Sequence, residues 1–477
     1  MKRKITLFGH FVVILSLLLF INSFTCNAQI RGIRLPGGSI SETSSENDAL
    51  IAKLTTNDVG DVFIWVQLDG TQTSAAKLSD FVPKAKTAGI KVHFVITVFK
   101  DNAYTTNNPG SIVWKCPEMK PGVTYPHPRL MPVDTRFANF HDPGYAKHIR
   151  SDIADFIQTY GPDGICLDKM NYSHFVYSFD PLSAQKAYDA GCDTTNFYGY
   201  FNTIDNYSTY ASNNGIINLY TTGAGGDPDV VKWFDMRKDV IAEFIQAVRD
   251  TIDVYNENIK LSALFRPTLA TSDQSQKWQV MEGMDYAYHS PYLDYTIPAM
   301  QPDYYDTGSA GGITGSVVAL HSGSGHVVTQ IHVTGNVSLL EAKFNSTLPA
   351  GSHGIIVYNY PDISTAEWNV IKTQFGKLKV VSDNKEINAD LGFNIGKIAP
   401  NPVKTSTLIS YNLSKPCYVT LNVYDALGRE VKTLVKQNMS AGAHIVNFNA
   451  SDLSSGVYFC RLEANGTSSV KKMIINK

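Results

Sequence analysis

"GPDGICLDKMNY" (Gly161–Tyr172) decides how the rest of the chain is read. Gly164-Ile165-Cys166-Leu167 is apolar at every position, the pattern of a strand buried on both faces. It then runs into Asp168 and Lys169. An apolar strand that finishes on a carboxylate suits a parallel sheet whose strand ends open onto a site. Seven similar runs accompany it: "IRGIRLPGG" from Ile30, "DVFIWVQLDG" from Asp61, "IKVHFVITVFKD" from Ile90, "IKLSALFRP" from Ile259, "LDYTIPAMQPDYY" from Leu293, "HVVTQIHV" from His326 and "HGIIVYNYP" from His353. They are rich in Val, Ile and aromatics, as strands are.

Helical patterns separate the runs. In Asp142–Tyr160 the apolar residues Tyr145, Ile149, Ile153, Phe156, Ile157 and Tyr160 recur three or four apart, one face of an amphipathic helix. In Trp233–Tyr255 the residues Val240, Ile241, Phe244, Ile245, Val248 and Ile252 do the same. Eight strands alternating with helices over residues 29–378 predict a (β/α)8 TIM barrel, longer than the usual ~250 residues. The alternative, a doubly wound open sheet, would open its first helix on a Gly-rich phosphate loop, and none is present. Long insertions follow the third strand (Asp101–Phe140) and the fourth (Ser173–Lys232), both on the face where barrels build active sites.

A formal net charge of -2 argues against a nucleic-acid or membrane-surface partner. Basic Lys2-Arg3-Lys4, the apolar stretch "ITLFGHFVVILSLLLFINSF" and "CNA" before Gln29 read as a signal peptide over residues 1–28. A membrane anchor, or a lipid on Cys26, are the alternatives. The mature chain is then exported and carries no membrane span. In an oxidising compartment Cys116 could pair with Cys192, and Cys417 with Cys460, whereas Cys166 lies within the apolar strand as a free thiol. No Cys/His cluster has zinc spacing; His321, His326 and His332 cannot share one face, and no motif calls for a cofactor.

Residues 379–399 read as a polar linker and 400–477 as a small all-β, immunoglobulin-like sandwich, with short alternating segments broken by turn residues. "APNPV", "VTLNVYDALGREVKTL", "SAGAHIVNFNASDLSSGVYFCRL" and the basic ending "VKKMIINK" resemble the C-terminal sorting domain of the type IX secretion system. The resemblance implies outer-membrane passage through that machinery, with the product secreted or held at the cell surface.

Asp168 directly follows the fourth strand and is the first catalytic candidate; Asp163 lies at the opposite end and reads as structural. An ion pair of Asp168 with Lys169 or Arg266 is the alternative. "HDPGYAKHIRSDIADFIQTYGPDGICLDKMNY", "WFDMRKDVIAEFIQAVRDTI", "KLSALFRP" and "LDYTIPAMQPDYY" are similar to the glycosyl-hydrolase-like family 10 barrels. Lys169 stands where that family often has a second acid. The resemblance implies sugar chemistry on a carbohydrate substrate. Glycoside cleavage takes two carboxylates, and Asp303 is the second candidate, with Asp69, Asp101, Asp235 and Asp362 as other rim acids. Arg34, Lys169, Arg237 and Arg266 are candidates to bind an acidic sugar or to orient the carboxylates. Trp65, Asn171, Tyr172, Trp233, Gln301, Tyr304 and Tyr358 are candidates for hydrogen bonds and stacking. A glycan-binding surface protein on a degenerate barrel is the competing reading.

Overall fold

The structure is a computed structural model. It describes residues 29–112, 137–172, 180–193, 219–220, 226–267, 280–300, 310–321, 325–383, 393–413, 415–425, 429–464 and 467–477. The expected signal peptide, Cys116, Gln301, Asp303 and Tyr304 lie outside these residues.

Eight parallel strands form the first domain: β1 (Ile30–Leu35), β2 (Asp61–Leu68), β3 (Lys91–Thr97), β4 (Gly164–Asp168), β5 (Lys260–Phe265), β6 (Tyr295–Pro298), β7 (His326–Val327 and Thr329–His332) and β8 (Gly354–Tyr358). Pairing runs from the first piece of β7 through β6, β5, β4, β3, β2, β1 and β8 to the second piece of β7. The path starts and ends on one strand, so the sheet closes into a barrel. A bridge between Ala299 and Gln330 ties the same seam one step further up. Helices α1 (Ser44–Thr56), α2 (Ala75–Thr87), α3 (Pro143–Tyr160), α4 (Pro181–Asp189), α5 (Pro228–Tyr255), α6 (Ala310–Leu320), α7 (Val337–Thr347) and α8 (Thr365–Asp383) follow the strands, α4 within an insertion.

Local chemistry sets these boundaries. Asp142 caps α3 by accepting the Gly144 N–H, and Gly161 ends it at φ 56°, a left-handed conformation that suits glycine. Helix α5 starts five residues before Trp233, because Asp227 accepts N–H bonds from Asp229 and Val230 and Pro228 fills the first turn. Asp163 accepts the Val92 N–H at 2.9 Å at the closed end of the barrel. Gly164 lies so close to His93 that a β-carbon there would meet its Nδ1 at 2.2 Å.

Inside the barrel each strand contributes one apolar residue to a single packed layer: Ile30, Phe63, Val95, Cys166, Leu264, Ile297, Val328 and Ile356. The layer is a plug, not a channel. Cys166 is fully buried within it, and burial pushes its thiol up to about 12.

His141, at the entry to α3, is buried with neither ring nitrogen hydrogen-bonded. Burial, with Lys186 and Arg237 adding positive charge, pushes its imidazole down to about 4. An unfolded histidine titrates near ~6.5, so between those pH values the unfolded chain takes up a proton that the native one refuses. Stability is therefore expected to fall as pH drops from about 6.5 to about 4, by up to about 3 kcal/mol. Urea unfolding of wild type beside His141→Leu checks this: the variant should lose that part of the slope, and a wild-type curve flat over the interval would contradict it.

The second domain is a sandwich. Strands β9 (Phe393–Ala399), β10 (Ser406–Leu413) and β13 (Gly442–Asn449) make a three-stranded sheet. Strands β12 (Glu430–Met439), β11 (Cys417–Asp425), β14 (Gly456–Ala464) and β15 (Thr467–Ile475) make a four-stranded one. Both are antiparallel. In β10 the residues Thr407, Ile409, Tyr411 and Leu413 are buried and their neighbours are not, the alternation of a strand with one covered face. Helix α8 runs to Asp383 and β9 begins at Phe393, so both ends of the segment 379–399 are regular structure. Ile395 and Ile398 bury into the sandwich core across a register shift that an alternating pattern hides.

Of the two possible cysteine pairings, Cys417 with Cys460 is not made, and Cys116 of the other lies outside the described residues. Cys166, Cys192, Cys417 and Cys460 are all free thiols. On adjacent strands Cys460 pairs with Val423, six residues along from Cys417, roughly 20 Å at the rise of a strand. The Cys192 thiol instead donates to the Asp229 carbonyl. No helix among the described residues is long and apolar enough to cross a membrane.

Candidate functional site

Side chains alternate along a strand, so a residue two beyond the apolar plug also points into the barrel, one layer nearer the C-terminal ends. Those positions are Trp65, Thr97, Asp168, Arg266, Ala299, Gln330 and Tyr358. On β1 the layer is reached from Gly32, whose missing side chain leaves room for Phe63 and Ile356, and it carries Arg34. All of these except Thr97 line one cavity of about 440 Å³, together with Leu68, Lys169, Asn171, Leu264, Phe265 and Pro267.

Asp168 is the hub. Its Oδ2 accepts hydrogen bonds from Arg34 Nη2 at 2.6 Å and Trp65 Nε1 at 3.3 Å. Its Oδ1 accepts the Lys169 backbone N–H at 2.9 Å. Arg34 is buried. Its guanidinium lies 3.9 Å above the Trp65 ring and 5.3 Å from that of Tyr358, and its Nη1 donates to Gln330 at 2.9 Å. The ion pair with Lys169 or Arg266 anticipated for Asp168 is thus made by Arg34. Arg266 pairs with buried Glu282, and Lys169 Nζ reaches Asp69 at 3.2 Å.

The other rim acids are engaged too. Burial opposes ionisation of Asp69, but Lys100 and Lys169 more than offset it and hold the carboxyl below its usual range. Asp101 caps a short helix and meets His148 at 3.3 Å, Asp235 pairs with Lys238 at 2.8 Å, and Asp362 accepts from Asn359. Among the described residues no group of three His, Cys, Asp or Glu could hold a metal.

The structure brings Arg34, Trp65, Asp168, Lys169, Asn171, Arg266 and Tyr358 to one cavity. It removes two expected platforms. Tyr172 is buried, stacked 4.0 Å from Phe140 and covered by Arg237 at 3.9 Å. Trp233 is only 1% exposed, in the core between barrel and helices. Both fall on helical or loop segments beside the barrel, where an aromatic packs inward. Arg237 is fully buried with them, away from the cavity. Sequence reading missed Gln330 and Glu282. Parity would have found Gln330, two residues beyond Val328; Glu282 lies in a loop with no periodic signal.

Residues 397–476 match the secretion system C-terminal sorting domain. The tail is a sorting domain. The protein is accordingly one sent by type IX secretion to the cell surface or the extracellular space. No curated protein matches the chain. Among solved structures, the glycoside hydrolase domain of PgaB (BpsB) from Bordetella bronchiseptica is similar at 11% identity and a TM-score of 0.51, covering 74% of this chain and 98% of that one. A beta-galactosidase from Bacillus circulans sp. alkalophilus is similar at 9% identity and a TM-score of 0.50, with 75% and 57% covered; this chain spans little more than half of that enzyme. Both likenesses are of fold, and the barrel is one that glycoside hydrolases share.

Proposed function

We propose that the exported barrel is a glycoside hydrolase that cleaves a polysaccharide or oligosaccharide with two carboxylates. The carrying observation is Asp168, fixed at the end of β4 on the floor of an open cavity, with donors on three sides and Trp65 and Tyr358 beside it. A carboxylate that accepts three hydrogen bonds works as the anion, so Asp168 takes the part of nucleophile or base. The proton for the leaving oxygen then comes from a second acid. Asp69, held ionised by two lysines, is unsuited to that role, and Glu282 is clasped by Arg266. Asp303, five residues past the end of β6 in the sequence, is the partner we assign. The resemblance to the glycosyl-hydrolase-like family 10 barrels agrees with this reading, with Trp65, Tyr358, Asn171 and Gln330 contacting the sugar.

The test is release of reducing sugar from a polysaccharide panel by the chain from Gln29 onward, beside Asp303→Asn. Cleavage by wild type and a fall of about 10²-fold or more in the variant is expected from loss of a general acid. Equal rates would remove Asp303 from the mechanism. One observation favours a second reading, a glycan-binding protein without catalysis: the 2.6 Å contact to Arg34 already satisfies Asp168. Binding of a glycan with no release across the panel would select it.

A further inference from the structure

The cavity wall carries three cationic side chains, Arg34, Lys169 and Arg266. Arg34 pairs with Asp168 and Arg266 with Glu282. Asp69 is shared by two ammonium groups, Lys100 at 2.9 Å and Lys169 at 3.2 Å. Of the two lysines, Lys169 has the more exposed side chain, 36% against 14%, and it alone lines the cavity. An ammonium has three donors, and one contact to Asp69 leaves donors to offer a ligand.

The backbone points the same way. Lys169 sits at φ 55°, a conformation that costs a side-chain-bearing residue about 1 kcal/mol or more and that glycine adopts freely. A lysine held there, directly after Asp168 and in the wall of the same cavity as Arg266, meets a strain that a purely structural turn would relieve with glycine.

We propose that the cavity selects an anionic sugar, a ring bearing a carboxylate, and that Lys169 is the residue that reads this charge, with Arg266 in the same cavity wall. This rests on the glycan-directed reading of the same site and names its substrate class. A charge-assisted hydrogen bond to a carboxylate adds affinity that a neutral ring cannot collect, and it weakens as salt rises.

The strain supplies its own control. Lys169→Gly deletes the ammonium and relieves the backbone, and Asp69 keeps Lys100 as partner, so the variant is expected to melt no lower than wild type. The experiment is calorimetric titration of the chain from Gln29 onward with oligosaccharides of galacturonate, alginate, hyaluronan and chondroitin. Each is paired with its carboxyl-reduced, neutral counterpart, at two salt concentrations, and cleavage is followed in the same samples. The expected result is that one acidic member binds at least about ten-fold more tightly than its reduced form. Lys169→Gly should lose most of that ratio, and Lys169→Arg should keep it. Equal or tighter binding of the neutral forms, no binding of any acidic form, or an unchanged ratio in Lys169→Gly would each overturn the proposal. Selective acidic binding without cleavage leaves it standing and removes the hydrolase; cleavage of neutral glycans alone does the reverse.

Discussion

Asp168→Asn is expected to lower kcat on the cleaved glycan by about 10³-fold or more, the scale of losing a nucleophile or a positioned base. The substitution keeps the shape of the side chain and one carbonyl oxygen, which can serve Trp65 at the Oδ2 position or the Lys169 N–H at the Oδ1 position but not both. What it removes is the negative charge beside Arg34, whose guanidinium is buried at the floor of the cavity. Stability therefore drops as well, by about 1.5–3 kcal/mol for a lost hydrogen bond to a charged group. The two effects separate if kcat is measured well below the variant's melting transition and thermal unfolding is followed in parallel. A kcat within ten-fold of wild type, with the fold intact, would show that Asp168 is no more than the counter-ion of Arg34.

The second large effect is on stability. Trp233→Ala should cost about 3–5 kcal/mol, because a large buried aromatic leaves a cavity its neighbours fill only in part. Trp233 is buried among the residues that join α5 to the barrel. Trp65→Ala should behave in the opposite way. Its ring is half-buried, lies over Arg34 and donates to Asp168, so its removal loosens the site: weaker glycan binding with a smaller stability change. Urea unfolding and glycan titration on both variants decide the matter. A Trp233→Ala protein of full stability that binds sugar poorly would restore Trp233 to the binding surface.

These contrasts mark what was legible before the fold was known. The barrel was legible because eight buried strands and their helices each carry their own period, and periodicity is a local property. The sandwich was legible in the same way, from alternation such as Thr407, Ile409, Tyr411 and Leu413. Asp168 was legible because the rim of a parallel barrel is fixed by strand direction alone. The linker limits were not: α8 continues through a stretch of mixed composition, and a register shift in β9 breaks the alternation between Ile395 and Ile398.

Partners were beyond the sequence altogether. Lys169 is next to Asp168 in the chain, yet its ammonium goes to Asp69, a hundred residues away, while Asp168 takes Arg34 from a strand 134 residues earlier. Tyr172 and Trp233 have the composition of stacking platforms and sit in the core. Which residues could face inward follows from the chain alone, since the two-residue period of a strand is built into the backbone. Which of them meet follows from folding, because closing the sheet sets Arg34, Trp65, Asp168, Gln330 and Tyr358 around one axis, and charges then pair by distance through space, not along the chain.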